Sequence, residues 1–296
     1  MRSKDYAAAE TMICLPMRKS SYRSSNSERV RPILLVIDIG NTNIVCGIYK
    51  DDELIKDWRI ATKENKTSDE YGMEFRQIME IHGISYHDIE DIIISSVVPN
   101  LMHTIPAACS RYLGIKPYII NHLTDTGIIN GYGNPKEVGS DRIVNAAAGF
   151  KKYGGPLIII DIGTAITFDY ITEEGEYLGG AIAPGLAISS EALFMKTSKL
   201  PKIEIDTPKK VIGKSTIESI QSGLVYGYIG LVDSIIERML EEKGKEEKDV
   251  KILGTGGFSA LISQNSRYIE KVDKMLTLDG LKMIYDRNKR KKTEYA

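Results

Sequence analysis

The sequence predicts an α/β fold built twice around a shared cleft, and three observations carry the prediction. A β-branched run from Ile33 reaches Asp38, turns through Gly40, Asn41, Thr42 and Asn43, and leaves as a second apolar strand ending near Tyr49, which reads as a tight β-hairpin. A cousin of this stretch recurs in the second half, where Leu157 to Ile160 leads into Asp161, Gly163 and Thr164 and a further strand runs to Tyr170. One Asp-Gly pair alone would fit an ordinary hairpin turn. Two matching copies argue for a duplicated domain, each half placing one polar tip on a common cleft. Around the hairpins, strand patterns alternate with helix patterns, the signature of α/β architecture.

After the first hairpin, Glu53 to Ile60 supplies a third strand. Thr67 with Glu70 forms a capping-box pattern that opens a helix through about Ile81, with Phe75, Ile78 and Met79 on one face. Asp91 to Val98 reads as a buried parallel strand stopped by Pro99. A helix over about Met102 to Leu113 and a short strand at Tyr118 to Ile120 follow, and then a Gly-rich loop from Gly127 to Arg142 runs into a helix over Ile143 to Phe150.

The second half repeats the plan. A strand around Tyr177 to Ile182 follows the hairpin, and Pro184 and Gly185 turn into a helix over about Leu186 to Lys196. Ser215 and Glu218 make another capping box, and its helix runs to about Glu242 with Ile220, Leu224, Tyr228, Leu231, Ile235 and Met239 as an apolar stripe. Gly223, Gly227 and Gly230 permit close backbone approach along it, and the stripe fits either a core helix or an interface between two copies. Glu241 to Asp249 reads as a solvated loop. Val250 to Gly257 reads as a strand whose Gly-rich turn could bring backbone N–H groups to a nucleotide. The tail from Asn288 to Lys292 reads as a frayed, solvated C-terminus.

A length of 296 residues favours two domains, expected over 32–150 and 151–296. Residues 1–31 are rich in Ser and Arg without periodicity, and are expected as a disordered extension. Met12 to Met17 is too short and Pro-broken for a signal-peptide core, and Asp5, Glu10 and Glu28 do not suit a transit peptide. A net charge of -1 gives no electrostatic reason to expect nucleic acid or membrane as a partner. Cys14, Cys46 and Cys109 are odd in number and widely spaced, which points to a reducing, cytoplasmic setting, with Cys46 a small buried hydrophobe. His82, His87, His103 and His122 lack metal-ligand spacing.

The first hairpin tip suits phosphate. Gly40 lets backbone approach a ligand, successive N–H groups and the Thr42 hydroxyl can donate to an anion, and Asp38 can hold a Mg²⁺ that bridges phosphates. No lysine sits in this turn, so it is not a Walker A loop, and the stretch Gly213 to Thr216 fails that motif because Pro208 occupies the place of its first glycine. Ser140 and Asp141 fit a plain helix start as well as a functional loop, and Tyr132 fits either surface packing or a ligand contact.

Taken together, Asp38 to Asn43, Asn134 to Arg142, Asp161 to Thr167, Gly179 to Gly185 and Thr255 to Gly257 make the stretch from about Ile33 to Asn288 resemble the type III pantothenate kinases. These belong to the acetate-kinase, sugar-kinase, heat-shock chaperone and actin superfamily. The resemblance implies duplicated ribonuclease-H-like (actin-like ATPase) domains with a cleft between them. It also implies transfer of the γ-phosphoryl of ATP to pantothenate, giving 4′-phosphopantothenate in the first step of coenzyme A biosynthesis. By the same resemblance, Asp38, Ile39, Gly40, Asn41, Thr42, Asn43, Ile44, Val45 and Thr164 would bind ATP, with Mg²⁺ at Asp38 and K⁺ or NH₄⁺ near Asp161. Tyr132, Gly139, Ser140, Asp141, Arg142 and Thr216 would form the pantothenate pocket, with Ser140 where the family commonly has Ala, and Asp141 would be the base. A homodimer is implied as well. Beside Arg142 and a helix N-terminus, Asp141 is expected to have a lowered pKa. Two other readings use the same scaffold: a kinase with another small hydroxyl or carboxylate acceptor, and a non-catalytic accessory factor for transcription. The intact Asp38, Asp141 and Asp161 speak against the latter.

Overall fold

The computed structural model describes residues 33–294, with side chains through residue 289, so the expected N-terminal extension and Cys14 lie outside the described residues. In chain order these form β1 (Ile33–Ile39), β2 (Asn43–Lys50), β3 (Glu53–Ala61), α1 (Ser68–Ile81), β4 (Ile89–Ser96), α2 (Thr104–Ala108), β5 (Tyr118–Ile119) and β6 (Ile129–Asn130). Then come α3 (Ser140–Tyr153), β7 (Leu157–Ile162), β8 (Ala165–Ile171), β9 (Glu176–Pro184), α4 (Leu186–Lys196) and α5 (Thr216–Lys243). The chain continues through β10 (Lys251–Thr255), α6 (Ser259–Ser263), β11 (Lys271–Val272) and α7 (Leu276–Glu294).

The duplication is visible in strand order. One sheet runs β3-β2-β1-β4-β5 and the other β9-β8-β7-β10-β11, with β6 added outside β9. In each, a three-stranded antiparallel meander is extended by two parallel strands, β4 on β1 and β10 on β7. These are the two sheets that the twin hairpins predict.

Both faces of each sheet are covered, which explains why β1 and β7 are apolar without alternation. Leu35, Ile37 and Ile39 of β1 pack with Phe75, Met79 and Ile105 of α1 and α2, whereas Leu34 and Val36 point the other way, onto Val144 of α3 and Leu278, Leu281 and Ile284 of α7. In the second sheet Ile158, Ile160 and Ile162 meet Leu224, Val225 and Val232 of α5. The alternate residues Leu157 and Ile159 meet Ala146 and Ala148 of α3 and Leu276 of α7. Thus α3 and α7 pack on both sheets. The two helices pack closely: a Cβ at Gly280 would sit 2.5 Å from the Val144 carbonyl oxygen. Residue 150, where the domain division is expected, falls within α3, while β6 joins the second sheet and α7 covers the first.

Several elements differ in detail from expectation. The helix expected over Met102 to Leu113 is α2 followed by a π-helical turn at Cys109–Leu113, with a 3₁₀ turn at Pro99–Leu101 before them. Pro106 is accommodated because it lies in the first turn of α2, where N–H groups have no helical partner. The Thr67 and Glu70 capping box forms fully. At α5, Ser215 accepts from the Glu218 N–H at 3.2 Å, but the Glu218 carboxylate accepts from the Lys214 N–H at 2.7 Å, so only half of that box forms. Beyond Tyr228 the buried line of α5 follows Val232, Ile236 and Leu240, leaving Leu231, Ile235 and Met239 on its flank. The tail expected to fray is helical through Glu294, anchored by Leu278, Leu281, Ile284 and Tyr285. Among the described residues, no helix is long and apolar enough to cross a membrane.

Candidate active site

Asp38 is the second to last residue of β1, and Asp161 holds the same place in β7. In each sheet the neighbouring parallel strand sets a buried hydroxyl residue in register with the carboxylate: Ser95 of β4 opposite Asp38, and Thr255 of β10 opposite Asp161. All four lie at the carboxyl ends of parallel strands, where ligands of open α/β sheets bind.

The turns beyond these strands are tight. The Gly40 N–H donates to the Asn43 carbonyl at 3.0 Å, the Thr62 hydroxyl donates to the Gly40 carbonyl at 2.7 Å, and the Gly163 N–H donates to the Ala165 carbonyl at 3.0 Å. The two tips meet. Thr42 Oγ1 lies 2.7 Å from Thr164 Oγ1, a hydrogen bond that joins the hairpins of the two sheets. Asn41 and Thr42 are exposed, whereas Ile39 and Ile44 are buried in the core, so only their backbone can face a ligand.

Asp141 adds a third carboxylate as the second residue of α3. Gly139 holds the N-cap position without a side-chain bond, and Asp141 Oδ1 accepts from the Arg142 N–H at 2.8 Å. Ser140 does not cap the helix. Its hydroxyl accepts from the Ser96 N–H at 3.1 Å, donates to the Ser96 carbonyl at 3.0 Å and lies 2.9 Å from Ser95 Oγ, which stitches the Gly-rich loop to the end of β4.

These three acids feel one another. Burial and then the Asp141 charge push the Asp38 carboxyl up to about 8, against the hydrogen bond from Ser95. Burial, Asp141 and Asp169 push Asp161 up to about 7, against the Asn145 amide. Asp141 itself is raised by burial, opposed by the Arg142 N–H and charge. The lowering expected from its neighbour in sequence is therefore overturned, because consecutive helical residues point in different directions. The Arg142 side chain turns instead to Asp169 on β8, placing Nε at 2.8 Å and Nη2 at 2.6 Å from one carboxylate oxygen. Tyr177 donates to the same oxygen at 2.7 Å, and Thr167 donates to the other at 3.2 Å.

Asp161 is further oriented by Asn145, whose Nδ2 donates to it at 3.2 Å while Thr277 of α7 donates to the Asn145 amide oxygen at 2.7 Å. Two glycines are required by this geometry. Gly256 has φ +89° and a Cβ there would fall 2.4 Å from Asp161 Oδ1, while Gly179, at φ +105°, leaves room for the Tyr132 ring, 2.8 Å from its absent Cβ. Tyr132 packs against Tyr177 with ring centroids 6.3 Å apart.

Asp38, Asp141, Asp161, Thr42 and Thr164 are thus brought together, and Tyr132 and Arg142 join them through Tyr177 and Asp169. Thr216 stands apart. It is exposed at the start of α5 and lines a groove with Leu193, Leu200, Ile220 and Leu224 that includes none of Tyr132, Asp141 or Arg142. Sequence reasoning missed Ser95, Asn145, Asp169 and Tyr177, and read Thr255 only as the start of a Gly-rich turn. The signals available were hydroxyl residues at the ends of β4 and β10 and a carboxylate interrupting the apolar run of β8. Among the described residues, no group of three or more His, Cys, Asp or Glu side chains is arranged to hold a metal ion by itself.

Comparison with known proteins agrees with the resemblance. A structure from Sinorhizobium meliloti assigned as a 2-dehydro-3-deoxygalactonokinase is similar in fold, with a TM-score of 0.54 at 12% identity, covering 86% of this chain and 96% of that one. The type III pantothenate kinase from Finegoldia magna is 64% identical over 257 residues, covering 87% of this chain and 98% of the relative. That from Citrifermentans bemidjiense is 53% identical over 257 residues, covering 87% and 100%. The family model described as type III pantothenate kinase matches residues 34–238, and with relatives at this identity over nearly their whole length the chain belongs to the type III pantothenate kinase family.

Proposed function

We propose that this chain transfers the γ-phosphoryl group of ATP to the primary hydroxyl of pantothenate, giving 4′-phosphopantothenate. One observation carries the reading at the level of chemistry: three carboxylates that repel one another, Asp38, Asp141 and Asp161, share a site where the hairpin tips are joined by Thr42 and Thr164. Phosphoryl transfer rests mainly on positioning and charge neutralisation, and a cluster of acids short of positive charge suits cations. Mg²⁺ usually takes one or two carboxylates and completes its shell with waters and phosphate oxygens. Bound with ATP, it supplies charge neutralisation at the phosphate oxygens.

Within this reading Asp38 holds Mg²⁺, and the backbone from Gly40 to Val45, with the hydroxyls of Thr42 and Thr164, orients the phosphates. Asp161, flanked by Asn145 and Thr255, suits K⁺ or NH₄⁺. Asp141, whose pKa burial raises, accepts the proton of the acceptor hydroxyl as it is transferred. Tyr132, Gly139, Ser140 and Arg142 form the acceptor wall. The two sheets act as the two lobes of the cleft, the segments 32–150 and 151–296 supplying most of each while β6 and α7 cross over.

A homodimer is part of the proposal. Ile188, Leu193, Phe194 and Met195 of α4 and Ile217 of α5 are exposed apolar side chains that a second copy would cover, and Gly223, Gly227 and Gly230 present open backbone on α5. A cytoplasmic enzyme without nucleic-acid or membrane partners fits the net charge of -1. The test is ADP release with pantothenate against a panel of sugars and carboxylic acids, with and without K⁺. Turnover with pantothenate alone, dependent on K⁺, is expected; preference for another acceptor would overturn the substrate assignment. Sedimentation at micromolar concentration checks the dimer.

A further inference from the structure

Asp169 belongs to none of the motifs that carry ATP or acceptor chemistry, yet it is wholly buried on β8 and holds the best-connected carboxylate of the site. Its Oδ1 receives Arg142 Nε at 2.8 Å, lies 2.6 Å from Arg142 Nη2, and receives the Tyr177 hydroxyl at 2.7 Å, while Oδ2 receives the Thr167 hydroxyl at 3.2 Å. Arg142 is itself 7% exposed and passes 5.8 Å from the Tyr177 ring, which in turn packs on Tyr132. A buried ion pair is weak evidence for stability, since apolar residues of similar volume hold a helix on a strand as well. What this pair does supply is orientation. Tyr177 and Thr167 fix the carboxylate, the carboxylate fixes the guanidinium, and the same tyrosine backs the Tyr132 ring.

We infer that Asp169 is a positioning residue for the acceptor side of the cleft, setting Arg142 directly and Tyr132 through Tyr177. The inference rests on the proposed reading in which Arg142 and Tyr132 meet pantothenate. Asp169 touches no reacting atom in this account, and its hydrogen bonds go to Arg142, Tyr177 and Thr167 rather than to Asp38 or the two hairpin tips, so it reaches the nucleotide side only as a charge felt by Asp161. Its loss therefore separates the two substrates kinetically.

The experiment is steady-state kinetics on the full chain and on Asp169→Asn, Tyr177→Phe, Arg142→Lys and the double variant Arg142→Lys/Asp169→Asn, varying pantothenate and ATP in turn. Misplacement of a binding group by a fraction of an ångström to an ångström is expected to raise the pantothenate KM about tenfold or more in Asp169→Asn and about threefold in Tyr177→Phe, with the ATP KM within about twofold of the parent. Because Asp169 acts on Arg142 directly and on Tyr132 through Tyr177, the double variant is expected to lose less than the product of the two single losses. A pantothenate KM that stays at the parent value, an ATP KM that rises in step, or losses that multiply in the double variant would overturn the inference. Should Asp169→Asn fail to fold, Tyr177→Phe and Thr167→Val, which keep the ion pair, decide by the same split. A parent protein that turns over another acceptor and not pantothenate would show, before any variant is made, that the functional reading failed rather than the positioning.

Discussion

Replacing Asp38 by Asn is expected to stabilise the ligand-free protein while abolishing its activity. The Asp38 carboxyl is raised to about 8 by burial and by Asp141 and Asp161, against an ordinary 3.8. A carboxyl raised in the folded state binds its proton more tightly there than in the unfolded chain. Its contribution is therefore fully present below about pH 4 and is lost as pH rises toward 8. At about 1.36 kcal/mol per unit the whole shift corresponds to roughly 5 kcal/mol at neutral pH, and solvent and counter-ions in an open cleft reduce this to about 2 kcal/mol. For a chain of this size that is about 4 to 8 °C in Tm. Thermal unfolding without nucleotide or divalent cation, at pH 5 and pH 7.5, measures it. The Asp38→Asn variant should melt higher at pH 7.5 and the gain should shrink toward pH 5, while ATP with Mg²⁺ should raise the parent more than the variant. A variant that melts lower than the parent at pH 7.5, or a gain independent of pH, would refute the reasoning.

Asp161→Asn should alter the K⁺ dependence of turnover and weaken apparent ATP affinity, read from ATP titrations at several K⁺ concentrations; an unchanged K⁺ dependence would move the monovalent site elsewhere. Ser140→Ala should cost about 1 kcal/mol, seen as a lower denaturant midpoint, because the Ser140 hydroxyl ties the loop of the acceptor wall to Ser95 and Ser96.

Much of the fold was legible because local signals agree with it. The β-branched runs into Asp38 and Asp161 and the Thr67 capping box act within a few residues, and the structure forms them as read. The C-terminal helix was obscured by its basic end, although Leu278, Leu281 and Ile284 recur at helical spacing. In the site, the carboxylates at hairpin tips and helix start are marked by their turns. Asp169 is not, since its meaning arises only when α3 packs on β8 and brings Arg142 to it across 27 residues of sequence. Adjacency misled at Asp141, where the neighbouring Arg142 points away to another acid and burial decides the direction of the pKa.

The central claim is that Asp141 takes the acceptor proton, and the turnover of Asp141→Asn with pantothenate, measured beside its ATP affinity, tests it most directly. Loss of the base should cut turnover by about 10² or more while ATP binding survives. Turnover within a few-fold of the parent would contradict the account and leave Asp38 as the leading candidate.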